Sequence, residues 1–280
     1  MTLVSERSTR VQDFLRRPSE HAHDADPIQI EDLTVHFNDV LALDHVTFSL
    51  PGGLRTAVIG PNGAGKTTLF NIIAGTLAPG SGIVRIYGEK PRGHVCIAHV
   101  PQRSRVDWDF PASVADVVMM GRVRKIGLFR LPSRADWGYV HEAMQRVGVN
   151  DLQNRQIGDL SGGQQQRVFL AQALAQEAEI VLMDEPLTGL DLPSQEAIFN
   201  ILEDLKSNGT TVMVATHDIS MAAERFDHVL LLNHRLIASG PPAEALRPEM
   251  LLEGFGGHVH VLPGDVADIL VTDDCCGGGE

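Results

Sequence analysis

Eight consecutive residues restrict the fold of this chain more than any other stretch. Gly60-Pro61-Asn62-Gly63-Ala64-Gly65-Lys66-Thr67 fits the pattern G-x-x-x-x-G-K-[ST]. Such a loop works only if a strand delivers the chain into it and a helix carries it away. The sequence predicts both. Arg55–Ile59 is a short apolar run, and Lys66–Ala74 places Leu69, Ile72 and Ile73 at helical spacing. The glycines let the backbone curl so that successive N–H groups converge on an anion. The helix opening near Gly65 adds the positive end of its dipole. Lys66 supplies a cation for the β- and γ-phosphates and Thr67 a hydroxyl for Mg2+. The expected ligand is a nucleoside triphosphate.

The rest of the chain reads as the fold such a loop requires. Strand-like runs occur at Ile28–Phe37, Val46–Leu50, Ile83–Tyr87, Val95–Val100, Ile180–Met183, Thr211–Ala215, Val229–Leu232 and Leu236–Ala238. Helical patterns occur at Val114–Met120, Arg134–Val147, Gly162–Gln176, Gln195–Ser207 and Ser220–Arg225. Alternating short apolar runs and helices predict an α/β fold with a mainly parallel sheet covered by helices. Residues 103–160 interrupt the pattern. They hold Trp108, Trp137, Arg103, Arg105, Arg122, Arg124, Lys125, Arg130 and Arg134, and read as a helical insertion. Residues 1–26 show no sustained period and are expected to form a mobile arm. Residues 27–246 form the main domain and 247–280 an extension, whose acidic, glycine-ended part from 263 onwards is expected to be disordered.

Composition excludes several classes. Lys and Arg number 23 against 36 Asp and Glu, a net charge of −13. That balance disfavours non-specific binding to nucleic acid, which needs clustered cations. Three cysteines, Cys96, Cys275 and Cys276, do not form a secreted disulfide framework. Met1–Arg17 is broken by charges and lacks the apolar core of a secretory signal. No segment approaches the roughly 18 apolar residues that span a bilayer. A cytoplasmic protein is expected, with any membrane supplied by a partner.

Two further segments carry candidate chemistry. Ile180-Val181-Leu182-Met183 is an apolar strand that runs into Asp184-Glu185. In a parallel sheet the carboxyl ends of strands face the ligand crevice. Asp184 is thus placed to hold Mg2+. Neighbouring strand residues point opposite ways, which leaves Glu185 to orient or deprotonate an attacking water. Alone, the pair reads equally as a strand end with two solvated acids. Leu160-Ser161-Gly162-Gly163-Gln164 precedes a helix with Ser161 as its N-cap, leaving backbone N–H groups open to an anion. Alone, that is an ordinary capped helix.

Taken together and in this order, Phe37, Gly60–Thr67, Gln102 after Val100-Pro101, Leu160–Gln164, Ile180–Glu185, Thr188-Gly189-Leu190-Asp191 and His217 resemble the ATP-binding cassette (ABC) proteins. The resemblance covers about Ile28 to Leu246. It implies a P-loop NTPase core of mainly parallel sheet, with an antiparallel β portion and an inserted α-helical subdomain. It implies ATP and Mg2+ as ligands. Phe37 would stack on adenine, although Tyr is commoner there. Gly60, Pro61, Asn62, Gly63, Ala64, Gly65, Lys66, Thr67 and Thr68 would hold the phosphates. Thr67, Gln102 and Asp184 would hold Mg2+, and Gln102 would also touch the attacking water. Glu185 would be the general base, and His217 would contact the γ-phosphate. Ser161, Gly162, Gly163 and Gln164 would close the ATP site of a second copy, with Asp191 at the seam between copies.

The family resemblance also implies partners. A lone cassette without membrane spans resembles the separate ATPase subunit of an importer, peripheral on the inner face of the cell membrane and bound to integral permease subunits. Val100–Pro111, Val117–Arg122 and Gln164–Ala171 resemble the manganese, zinc and iron branch, in which a separate extracytoplasmic protein selects the metal. Trp108, Phe110 and Phe129 are candidate permease anchors, or else core of the helical insertion. Other cargo, such as a siderophore, a non-transport ABC ATPase and a nucleotide-gated scaffold remain alternatives. His21, His23, His258, His260, Cys275 and Cys276, near Asp273 and Asp274, are a candidate regulatory metal site whose spacing fits no standard zinc module.

Overall fold

The computed structural model describes residues 25–91, 96–102, 106, 108–127 and 130–256, and the backbone of Val259–Val261 and Ile269–Val271. Residues 1–24 of the expected arm and most of the expected disordered tail lie outside them. So do the side chains of the terminal histidine and cysteine candidates.

An antiparallel sheet forms first. β1 (Ile28–Phe37) lies between β2 (Val40–Leu50) and β4 (Ser81–Ile86). Ile28 and Ile30 point inward at even positions, then Leu33 and Val35 at odd ones. The change of parity requires a bulge, and the ladder shifts register between Ile30 and Leu33. Asp32 (φ 53°) and His45 (φ 51°) take left-handed conformations at this irregular stretch. β2 begins six residues earlier than the sequence reading, because Asn38-Asp39 turns the chain back directly and pairs Phe37 with Val40.

The second sheet has the order β5 (Ile97–Val100), β6 (Ile180–Asp184), β7 (Thr211–Thr216), β3 (Arg55–Ile59), β8 (His228–Asn233), β9 (Arg235–Gly240). All neighbours are parallel except β8 and β9. Every residue of β6 and β7 is buried, as expected when both faces are covered. Alternate side chains feed two cores. Val181, Met183, Val212 and Val214 join one, and Ile180, Leu182, Met213 and Ala215 the other. The second core also takes Leu69, Phe70, Ile72 and Ile73 of helix α1 (Lys66–Ile73) and the inner face of the antiparallel sheet.

The first core is covered by α2 (Val114–Met120), the one-turn α3 (Val123–Ile126), α4 (Arg134–Arg146), α5 (Gly162–Gln176), α6 (Leu192–Ser207), α7 (Ile219–Arg225), α8 (Pro242–Ala245) and α9 (Pro248–Phe255). α2 and α4 each start on a reciprocal cap, Ser113 with Asp116 and Ser133 with Asp136. Val259–Val261 (β10) pairs antiparallel with Ile269–Val271 (β11), which falls within the acidic segment from 263 onwards. Among the described residues no helix is long and apolar enough to cross a membrane.

Arg122, read as part of a basic segment, is turned inward. Its Nη1 donates to the Ala175 carbonyl (2.9 Å) and the Glu177 carboxylate (2.6 Å), and its Nε faces Asp136 at 3.4 Å. The guanidinium also lies 4.1 Å from the centre of the Tyr139 ring. With a side chain only 7% exposed, it pins α4 to the end of α5. Removing a buried, charge-assisted set of this kind costs about 2–3 kcal/mol. Arg122→Ala should therefore lower the unfolding free energy by that amount, read in chemical denaturation as a lower midpoint at unchanged slope, and an unchanged midpoint would count against the pin.

Candidate nucleotide-binding and catalytic site

The loop after β3 is built by close contact. A Cβ on Gly60 would stand 1.9 Å from the Leu232 carbonyl oxygen of β8, so only glycine fits. Gly65 has φ 96°, and a Cβ there would meet the Ala42 carbonyl oxygen at 2.5 Å. The local motif assigns these glycines one task, letting the backbone curl around phosphate. The structure adds a second, approach to neighbouring strands, which no local pattern signals. Pro61, Asn62 and Gly63 form the outer arc, with Asn62 and Gly63 exposed and Ala64 buried beneath them. Lys66 is 6% exposed, and its Nζ donates to the carbonyls of Gly60 (2.6 Å) and Pro61 (3.0 Å). The cation is thus held within the curl of the loop. Thr67 and Thr68 follow on the first turn of α1, half-buried.

Neighbouring strand ends bring the other candidates to this loop. The Thr67 hydroxyl donates to Asp184 Oδ2 at 2.6 Å, and Asp184 is 3% exposed at the end of β6. Glu185 follows, but strand alternation does not aim it. It leaves the strand in a left-handed conformation, φ 50°, with its N–H on the Ala215 carbonyl. Its carboxylate receives the Gln102 Nε2–H at 3.0 Å on one oxygen. The other oxygen faces His217 Nδ1 at 3.9 Å, an ion-pair distance beyond a hydrogen bond. The facing His217 imidazole outweighs burial and, with Lys66 and Gln102, holds the Glu185 carboxyl below its ordinary value. Reciprocally, Glu185 raises the His217 imidazole above its ordinary value.

The remaining candidates lie elsewhere. Phe37 ends β1 on the antiparallel sheet, 47% exposed. Ser161 is the N-cap of α5. Its Oγ accepts from the Gln164 N–H (3.4 Å), and Gln164 Oε1 accepts from the Ser161 N–H (3.0 Å). Gln164 therefore has a local capping task, while Gly162 and Gly163 form the first positions of the helix. Asp191 is the exposed N-cap residue of α6. Trp108 is partly buried against the core, edge-on to Phe169 with ring centres 5.9 Å apart, whereas Phe110 is 55% exposed. Phe129, Arg103 and Arg105 lie outside the described residues. Among the described residues no group of three or more His, Cys, Asp or Glu could hold a metal.

A glycine-rich loop between a parallel strand and a helix, with acids from the end of a strand two places away in the same sheet, defines a nucleotide-binding P-loop protein of the α/β class. The ABC transporter family model matches residues 43–188. The manganese transport system ATP-binding protein MntB of Bacillus subtilis (strain 168) is 44% identical over 237 residues, covering 84% of this chain and 95% of its own. The zinc transport system ATP-binding protein TroB of Treponema pallidum (strain Nichols) is 45% identical, covering 83% and 88%. A solved structure described as an inward-facing metal-chelate type ABC transporter superposes with a TM-score of 0.73 at 30% identity, over 82% of this chain and 88% of that one. The chain belongs to the ABC transporter family, and it is an ATP-hydrolysing subunit.

The Glu185–His217 pair has a definite pH signature. A depressed carboxyl pKa contributes stability above the ordinary value of 4.5, lost as pH falls through the depressed one. A raised imidazole pKa contributes stability below the ordinary 6.5, lost as pH rises through the raised one. Both contributions are present together between those ordinary values. In chemical denaturation His217→Ala should therefore be more destabilising at about pH 6 than at about pH 9. Equal losses at both would mean that the two side chains do not interact as charges.

Proposed function

We propose that this chain powers uptake of a divalent metal, manganese, zinc or iron, through separate integral permease subunits at the inner face of the cell membrane. The cargo reading rests on the similarity to MntB and TroB along nearly their whole length. A chelated iron transport system protein, YfeB of Yersinia pestis, 43% identical over 233 residues, extends the same group. A separate extracytoplasmic protein would choose the metal. The exposed Phe110 is a candidate contact for the permease within residues 103–160, the proposed helical subdomain.

For hydrolysis, the carrying observation is Glu185 held between Gln102 and His217 beside the Thr67–Asp184 pair. In the proposed mechanism two copies sandwich two ATP molecules. The loop N–H groups and Lys66 of one copy bind the phosphates, and Phe37 stacks on the base. Ser161, Gly162 and Gly163 of the other copy close the far side, with Asp191 at the seam. The Ser161 hydroxyl already occupies the Gln164 amide, which leaves the earlier amides of α5 for phosphate. Glu185, ionised at neutral pH, accepts a proton from the attacking water. The His217 imidazole steadies that carboxylate and faces the γ-phosphate. Gln102 donates to Glu185 from the segment that continues into residues 103–160, so displacement of that segment by a permease would reposition the base.

Thr67, Asp184 and Gln102 also suit Mg2+. A hydroxyl and a buried carboxylate 2.6 Å apart are hard oxygen donors of the kind this ion prefers, and Gln102, bonded to the adjacent Glu185, would add an amide oxygen. When bound with ATP, the ion would neutralise charge on the phosphates.

The test is a reconstituted complex with its permease. Lys66→Ala should lose nucleotide binding and metal uptake together. Glu185→Gln should bind ATP, accumulate as a dimer and hydrolyse it at least about 100-fold more slowly. Normal turnover in Glu185→Gln would remove the base assignment. Normal uptake of radioactive manganese, zinc and iron when the chain is deleted would remove the cargo assignment.

A further inference from the structure

The phosphate loop is braced from behind by the tip of the β8–β9 hairpin. His234 turns this tip with φ 56°. Its N–H donates to the Ala64 carbonyl inside the loop at 3.0 Å, and its own carbonyl accepts from the Asp44 N–H of β2 at 2.8 Å. Its ring Nδ1 lies 3.3 Å from the Ala42 carbonyl. The next residue, Arg235, places Nε and Nη2 each 2.5 Å from Asp44 Oδ2. The other Asp44 oxygen faces His45 Nε2 at 3.7 Å. Ala42 and Leu43, just before Asp44, are the groups against which Gly65 is packed. The contacts form a closed ring, from Ala64 through His234 to Asp44, along β2 to Ala42, and back to Gly65.

The ring joins two sheets that hydrogen-bond separately. One delivers the loop. The other ends its β1–β2 hairpin in Phe37, paired with Val40 only four residues before Asp44. An Asp44 carboxylate that is 8% exposed needs its guanidinium partner. The Arg235 side chain, 71% exposed, adds little stability through such a pair. What the pair does provide is a fixed position, through two donors from one planar group.

We propose that Asp44 and Arg235 are positioning residues that hold the phosphate loop at a set distance from Phe37, so that the grips on base and phosphates are spaced for one nucleotide. The proposal rests on the nucleotide reading of the site given above. A two-point ligand gains from both grips only when their spacing is preset. A ligand held by the loop alone does not need that spacing.

Inorganic tripolyphosphate is such a ligand. Binding of ATP and of tripolyphosphate to the full-length chain would be measured for Asp44→Ala, Arg235→Ala, Arg235→Lys and Phe37→Ala. Asp44→Ala and Arg235→Ala should each weaken ATP about tenfold and tripolyphosphate less than about twofold, with part of the loss regained in Arg235→Lys. In a Phe37→Ala background the Asp44→Ala effect on ATP should largely vanish. Equal losses for both ligands, additive losses in the cycle, or no loss of ATP affinity would each overturn the proposal. If Asp44→Ala does not fold, Arg235→Ala, which removes a mostly exposed side chain, decides in its place. Failure of the wild-type chain to bind ATP would instead remove the nucleotide reading. An unaltered ATP affinity in Phe37→Ala would remove both the stacking role and the coupling built on it.

Discussion

A backbone contact with no room for a side chain organises this molecule. Gly60 lies so close to the Leu232 carbonyl that a single added carbon would overlap it. That contact fixes where the loop leaves β3 relative to β8. β3 in turn sits beside β7, which sits beside β6 and then β5. Each of these four adjacent parallel strands ends in one part of the site. Gln102 follows β5, Asp184 and Glu185 end β6, His217 follows β7, and the phosphate loop follows β3. The strand order is therefore also the order of the chemistry, as the geometry of open parallel sheets allows.

Charge is distributed to suit that order. Lys66 is buried with its ammonium on two loop carbonyls, so its position is set by the same backbone that would bind phosphate. The acids end β6, two strands away across β7. Asp184 is tied to Thr67, and Glu185 is held ionised by His217 and Gln102. Two carboxylates adjacent in sequence thus acquire different partners. The separation comes from a change in backbone conformation between them, not from strand pleating alone.

Much of this was legible in the sequence because it depends on local pattern. Apolar runs marked β1, β3 and β6, and helical spacing marked α1, α2 and α5. The glycine-rich loop and Ser161 carried their own geometry. What escaped was non-local. The bulge near Asp32 and His45 follows from pairing between two strands. The inward turn of Arg122 depends on Asp136 and Glu177, which lie 14 and 55 residues away. The Asp44–Arg235 link spans 191 residues. Glu185 was found by its chemistry, yet its left-handed backbone could not be, since glutamate has no preference for that region.

That backbone conformation has a consequence for how the protein can change. A non-glycine residue at φ 50° carries strain that the surrounding fold must offset. Glycine or asparagine would rest there more comfortably, and either would delete the carboxylate. Selection for heat resistance alone would thus favour versions of this subunit that lack the proposed base. On the proposed role of Glu185 as base, thermal robustness and turnover are set against each other at a single position.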